Sequence, residues 1–180
     1  PSVSLRPTSY PERYLGRELI GEGGMGTVFL HRDAQIGRSV AVKKIRPELR
    51  HDPAASARFV REARVQGQLE HPAIVPVYDL SVDADGAEFF SMKAVRGETL
   101  FDILKELRLG DEATCEAYPR HRLLTAFVNV CQAVEYAHER GVIHRDLKPD
   151  NIMLGDYGEL YVLDWGIAKI MGEADVPRSP

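Results

Sequence analysis

The sequence predicts an α+β fold of two lobes, a small antiparallel sheet with one helix followed by a mainly helical part. Three observations predict it. Short strand-like runs dominate from Tyr14 to Phe90, one helix-like stretch interrupts them, and after Gly97 apolar residues begin to recur at three and four. Four segments follow: residues 1–12 as an extended lead-in, 13–92 as the first lobe, 93–97 as a hinge, and 98–180 as the second lobe.

The lead-in carries Pro1, Pro7 and Pro11 among Ser and Thr, which favours extended chain. The strand-like runs lie at Leu19-Ile20, Thr27-Leu30, Val40-Ile45, Ile74-Leu80 and Glu88-Met92, with turns at Gly23-Gly24 and Asp85-Gly86. Asp52-Pro53 marks a helix start, an N-cap acid before a proline that needs no N–H. That helix runs to about Leu69, and His71-Pro72 closes it. Beyond Gly97, a short helix covers Leu100 to Leu109. A longer one, Leu123 to His138, carries Leu123, Leu124, Phe127, Val130, Cys131, Val134 and Ala137 as a core-packed stripe and stops at Gly141. Strands Ile152-Leu154 and Glu159-Leu163 flank a turn at residues 155–158.

Hydrophobic content of 44% and charged content of 28% suit a globular chain of 180 residues. A net charge of -4 excludes bulk affinity for nucleic acid. Cys115 and Cys131 read as two reduced thiols. No apolar run reaches the roughly 20 residues that span a bilayer, so the expectation is a cytoplasmic protein with no membrane segment. The chain opens with Pro1 rather than Met, which reads as an excised segment.

The run Gly21-Glu22-Gly23-Gly24-Met25-Gly26-Thr27-Val28 fits G-x-G-x-x-G-x-V, and Gly21, Gly23, Gly24 and Gly26 let backbone approach phosphates. Dinucleotide-binding folds use a similar pattern between a strand and a helix. Here a strand continues through Leu30, so the glycines cap a hairpin. In Val40-Ala41-Val42-Lys43, strand alternation puts Ala41 and Lys43 on one face, a small residue beside a phosphate-binding charge. Lys44 should point the other way, as a solvated surface lysine. A lysine in a cleft needs a partner charge. Glu62 on the first helix is the candidate, with Glu70 and Glu48 as alternatives near element ends.

His144-Arg145-Asp146-Leu147-Lys148-Pro149-Asp150-Asn151 fits H-R-D-L-x-x-x-N at every fixed position. Asp146 offers a carboxylate to a substrate hydroxyl, Lys148 a positive charge to phosphoryl oxygens, and Asn151 a neutral oxygen to a hard divalent cation. Asp164-Trp165-Gly166 resembles D-F-G with Trp in place of Phe.

On these motifs the chain resembles the eukaryotic-like Ser/Thr protein kinases of bacteria, over about Tyr14 to Lys169. The resemblance implies ATP-dependent phosphorylation of Ser or Thr hydroxyls on a protein substrate, with ATP and Mg²⁺ as cofactors. It implies catalytic roles for Asp146, Lys148, Lys43 and Glu62, and Mg²⁺ on Asn151 and Asp164. It implies that Met92 is the gatekeeper, that the Lys93 carbonyl and Val95 N–H bond adenine, and that Val28, Ala41 and Met153 sandwich the ring. His144 is structural by the same resemblance, and Arg145 binds an activation-loop phosphate. The alternative is a non-catalytic nucleotide-binding or scaffold module of the same fold.

Two departures stand out. Gln66 fills a usually apolar position in the column that links the first helix to Trp165. No A-P-E motif occurs, and only fourteen residues follow Gly166. The family's substrate-binding helices should therefore lie beyond Pro180, leaving this piece inactive or weakly active. The long helix should expose apolar surface and make the piece unstable, self-associated or dependent on another segment. Residues after Lys169 should be poorly fixed.

Overall fold

A computed structural model describes residues 10–172. These form two compact units, residues 10–60 with 77–94 and residues 61–76 with 95–172. The division falls inside one helix and places 61–76 with the second unit, whereas the sequence reading grouped 13–92 as one lobe.

The first unit opens with a helical turn, α1 (Tyr10–Arg13), where an extended lead-in was expected. Pro11 sits in the first turn, where its fixed φ suits a helix and its missing N–H is not needed. Residues 1–9 of the lead-in lie outside the described residues.

A five-stranded antiparallel sheet follows: β1 (Tyr14–Glu22), β2 (Gly26–Asp33), β3 (Arg38–Ile45), β4 (Val77–Val82) and β5 (Glu88–Lys93). Its order is β1-β2-β3-β5-β4. The fourth strand starts three residues later than the sequence pattern placed it. Ile74 instead makes an isolated parallel bridge to Val162 in the second unit.

The register pairs Val28 with Lys43, Leu30 with Ala41, Ala41 with Met92 and Lys43 with Phe90. Pleating therefore puts these side chains on one face. The other face carries Val40, Val42 and Phe89, which bury Tyr14. Its hydroxyl meets Ser91 Oγ at 3.1 Å.

Helix α2 (Pro53–Gln68) starts where Asp52-Pro53 predicts, with Asp52 Oδ1 accepting from Ala54 N at 2.9 Å. Phe59 of its first half packs on Phe90, ring centroids 5.3 Å apart.

The second unit is built around α5 (Arg120–Glu139) and two small sheets. Its other elements are β6 (Glu98–Thr99), α3 (Leu100–Leu109), α4 (Glu112–Ala117), β7 (Val142–Ile143), β8 (Ile152–Leu154), β9 (Leu160–Val162) and β10 (Lys169–Ile170). The sequence pattern missed α4, which Asp111 caps by accepting from Thr114 N at 2.8 Å. Strands β6, β8 and β9 pair in that order, and β7 pairs with β10. Gly97 enters this unit at φ +137, and a Cβ built on it would lie 2.0 Å from the Leu154 carbonyl oxygen. Only a hydrogen atom fits there.

The core gathers Val65, Leu69, Ile74, Ile103, Val130, Val162 and Trp165. Helix α5 buries Ala126, Val130, Ala133 and Ala137, a line of mostly small residues that allows close packing. The predicted stripe is thereby corrected. Leu123 and Val134 are half-buried against this core, while Leu124, Phe127 and Cys131 are exposed, Phe127 at 65%. With Val128 they form a second apolar line at spacings of three and four.

The expectation of a loose chain after Lys169 is also corrected as far as Met171. Lys169 and Ile170 pair with Ile143 and Val142, and Met171 N donates to Gly141 O at 2.7 Å. Residues 173–180 lie outside the described part. No helix of the described residues is long and apolar enough to cross a membrane.

Candidate functional site

In the first unit the glycine run forms the turn between β1 and β2, closed by Gly23 N donating to Gly26 O at 2.9 Å. Gly21 and Gly26 belong to the flanking strands, and Gly24 meets open space. Gly26 is packed differently. A Cβ there would sit 2.9 Å from Lys44 O and 3.2 Å from Lys43 Cγ. The stem of Lys43 thus runs beneath the glycine turn, with Nζ 5.9 Å from the Phe90 ring centroid.

Val28, Ala41 and Met92 share that face with Lys43 by register. Lys93 ends β5 opposite Val40, and Val95 follows the sheet without joining a strand. Lys44 does point the other way, but it is not a solvated lysine. It forms an ion pair with Asp83, a buried residue whose other carboxylate oxygen accepts from Asp85 N and Ala87 N. Without Lys44 the buried Asp83 carboxylate would be left as an uncompensated charge.

In the second unit, Glu62 is 3% exposed, whereas Glu48 and Glu70 are exposed. Burial thus separates Glu62 from its alternatives. Gln66, one turn on, is buried and donates from Nε2 to Val75 O at 2.8 Å. A polar residue is tolerated there because its amide has a fixed acceptor.

The loop after β7 is held by His144. Its Nε2 bonds Leu163 O at 2.9 Å, and its Nδ1 accepts from Asp146 N at 3.2 Å. One ring nitrogen must donate and the other accept, which is the neutral tautomer. Burial holds this imidazole below its usual pKa, against the opposing effects of the Leu163 carbonyl and of Asp164 and Asp146. With both nitrogens engaged, His144 shapes the loop and has no lone pair left for proton abstraction.

Asp146 Oδ2 meets Lys148 Nζ at 3.1 Å and accepts from Asn151 Nδ2 at 3.1 Å. Lys148 chiefly, with Asn151 and His144, holds this carboxyl below the usual range despite some desolvation, so it stays ionised at neutral pH. Asp146 in turn raises the Lys148 pKa. Asn151 is buried in a 3₁₀ turn and also donates to Asp146 O at 2.8 Å. Both contacts use its amide nitrogen, which fixes the amide and leaves Oδ1 outside both.

Leu163 N donates to Asn151 O at 2.8 Å, so Asp164 follows a residue clamped by both Asn151 and His144. Asp164 is exposed at φ +56, and its Oδ1 accepts from Gly166 N at 3.2 Å. Trp165 is 1% exposed, with its ring 4.6 Å from that of His144. Met153 is the centre of β8, paired with Thr99 and Tyr161.

One amide oxygen and one carboxylate are the donor set of a hard cation that takes its other ligands from phosphate and water. Among the described residues no cluster of three or more His, Cys, Asp or Glu could hold a metal ion.

Sequence reasoning did not find Asp83 or the clamp at Leu163. The first is distant from Lys44 in sequence and the second acts through backbone. Positive φ at Arg145 (+66) and Asp164 gave no signal either, since neither residue is glycine.

The model of the protein kinase domain family matches residues 14–178. The serine/threonine-protein kinase PknD of Protochlamydia amoebophila is 45% identical over 159 residues, covering 86% of this chain and 16% of that protein. PknD of Chlamydia pneumoniae is 41% identical over 167 residues, covering 91% of this chain and 18% of its own. PknD of Chlamydia felis is 37% identical, with 92% and 19% covered. The chain spans less than a fifth of the length of these curated relatives.

Proposed function

Because this chain belongs to the protein kinase domain family, we propose that it transfers the γ-phosphoryl group of ATP to a Ser or Thr hydroxyl on a protein substrate. The observation that carries the reading is the Asp146–Lys148–Asn151 set, with an ionised carboxylate held at 3.1 Å from both neighbours. Asp146 orients the acceptor hydroxyl and takes its proton. Lys148 offsets charge on the transferring group.

Asn151 and Asp164 are the residues that would hold Mg²⁺, which when bound neutralises phosphate charge. Lys43 positions the phosphates under the glycine turn, and Glu62 is assigned as its balancing carboxylate. Val28, Ala41, Met92 and Met153 are assigned to the adenine ring, with the Lys93 carbonyl and Val95 N–H as its hydrogen-bonding edge. The reaction is positioning and electrostatics, so the protein needs no covalent intermediate.

The test measures nucleotide binding and phosphoryl transfer separately in the full-length protein. Calorimetry with ATP, with and without Mg²⁺, should show metal-dependent binding. Labelled ATP should mark Ser or Thr of a protein substrate. Binding without transfer would replace this reading with a non-catalytic nucleotide-binding module.

A further inference from the structure

The second unit holds a cavity of about 220 Å³ that none of the assigned residues lines. One wall is the N-terminal part of α5, with His121 and Arg122 side by side in the chain and Thr125 one turn on. The other is the β8–β9 hairpin, with Leu154 and Leu160 buried at the base. The chemistry is uneven: apolar at the base, cationic and polar at the rim. None of the residues lining it is acidic.

Arg122 is fixed before any ligand arrives. Its Nη1 donates to Ala117 O at 2.7 Å, and its guanidinium lies 4.4 Å from the Tyr118 ring centroid. A guanidinium has five N–H donors, so one bond to the backbone leaves an edge for a carboxylate. Two of the acids nearby already accept hydrogen bonds, and Asp156 of the hairpin turn acts on Tyr118 from outside the cavity lining. Glu98 accepts from the Tyr118 hydroxyl, and Glu159 accepts from Tyr157 N within the hairpin turn.

Size decides between ligand classes. Pockets for small organic ligands run from about 300 to 1,000 Å³, which is larger than this one. A single large apolar side chain, delivered on an extended backbone, suits it better. We propose that this cavity docks a short segment of a partner protein in which an acidic residue stands next to an apolar one. The carboxylate lies on Arg122 and the apolar side chain over Leu154 and Leu160. This contact is separate from phosphoryl transfer and gives the protein a second hold on its partner.

The experiment uses fluorescence anisotropy on the full-length protein with two labelled peptides, Ac-Glu-Leu-Asp-Leu-Gly and its counterpart with Lys at both acidic positions. The acidic peptide should bind and the lysine peptide should not. Arg122→Gln should weaken the acidic peptide by about tenfold, the loss of one charge-assisted contact. Thr125→Trp, at an exposed helical position on the rim, should weaken it by at least as much by filling the mouth, and serves if Arg122→Gln disturbs the start of α5. Absence of binding to the wild type overturns the proposal. So does equal binding of the lysine peptide, or acidic-peptide binding unchanged in Thr125→Trp. Because the readout is binding alone, loss of kinase activity would leave it standing.

Discussion

Lys43 and Asp146 reach their positions by different means. Lys43 stands where strand register puts it, opposite Phe90 in a ladder that runs five residues between β3 and β5. Asp146 stands in a loop without a ladder, between a residue at φ +66 and a 3₁₀ turn. What holds it are side-chain contacts, from His144 and Asn151. The first unit thus positions chemistry with backbone, which is indifferent to most side-chain changes. The second positions it with side chains, each of which can be lost by one substitution.

The largest effects should fall on turnover. Asp146→Asn removes the proposed base and should lower it by about 10² to 10⁴, a typical contribution of general base catalysis. Nucleotide affinity should stay within about twofold, because Asp146 is assigned to the hydroxyl. A large fall in affinity by calorimetry, with turnover preserved, contradicts the assignment. Lys43→Met should also abolish transfer with an unchanged fold by circular dichroism, since ladder bonds and not the ammonium hold β3. Wild-type turnover in that variant would move the role to another residue.

Next in size is a packing effect that distinguishes two glycines of one turn. Gly26→Ala should cost about 1–3 kcal/mol, because its Cβ meets backbone that cannot swing away. Gly24→Ala meets open space and should leave the melting temperature unchanged. Equal destabilisation by the two would break the account of Lys43 beneath Gly26.

A smaller effect is a pH dependence to which His144 contributes beside His31 and His71, whose burial also lowers their pKa. His144 has a folded pKa below its unfolded one, so its stabilisation is complete above the unfolded value, near 6.5. It fades as pH falls below that, because the unfolded chain then binds more protons. Melting temperatures between pH 7.5 and 5.5 should fall, and His144→Asn should flatten the slope. An unchanged slope in that variant would assign the dependence to another group.

The smallest effect should be Gln66→Leu. It frees the Val75 carbonyl, worth about 1 kcal/mol, but gains apolar burial in return. Thermal melts should show a net change under about 1 kcal/mol.

The same contrast explains what could be read from the chain. Strands β2, β3 and β5 and the start of α2 were legible because their signals are local: alternation, a glycine turn, an acid before proline. The motifs around Gly21–Val28, His144–Asn151 and Asp164–Gly166 were legible for the same reason. Strands β6, β7 and β10 have two residues each, too few for a period of two to appear. Helix α5 begins at Arg120, before its apolar pattern does. Which of its two apolar lines is buried depends on what packs against it, and periodicity carries no such information. Lys44 was misjudged because Asp83 is brought to it by the sheet.

Gly97 extends the matter to mutational tolerance. It is exposed to solvent, and by exposure alone it would rank among the positions free to vary. Yet one methyl group there would overlap the Leu154 oxygen at 2.0 Å and the Gly155 Cα at 2.8 Å. Both obstacles are backbone, so no rotamer change can relieve them. Deep mutational scanning should find this surface residue as intolerant as the buried core. The general lesson is that accessibility counts the water on one side of a residue, while substitution depends on the clearance on the other.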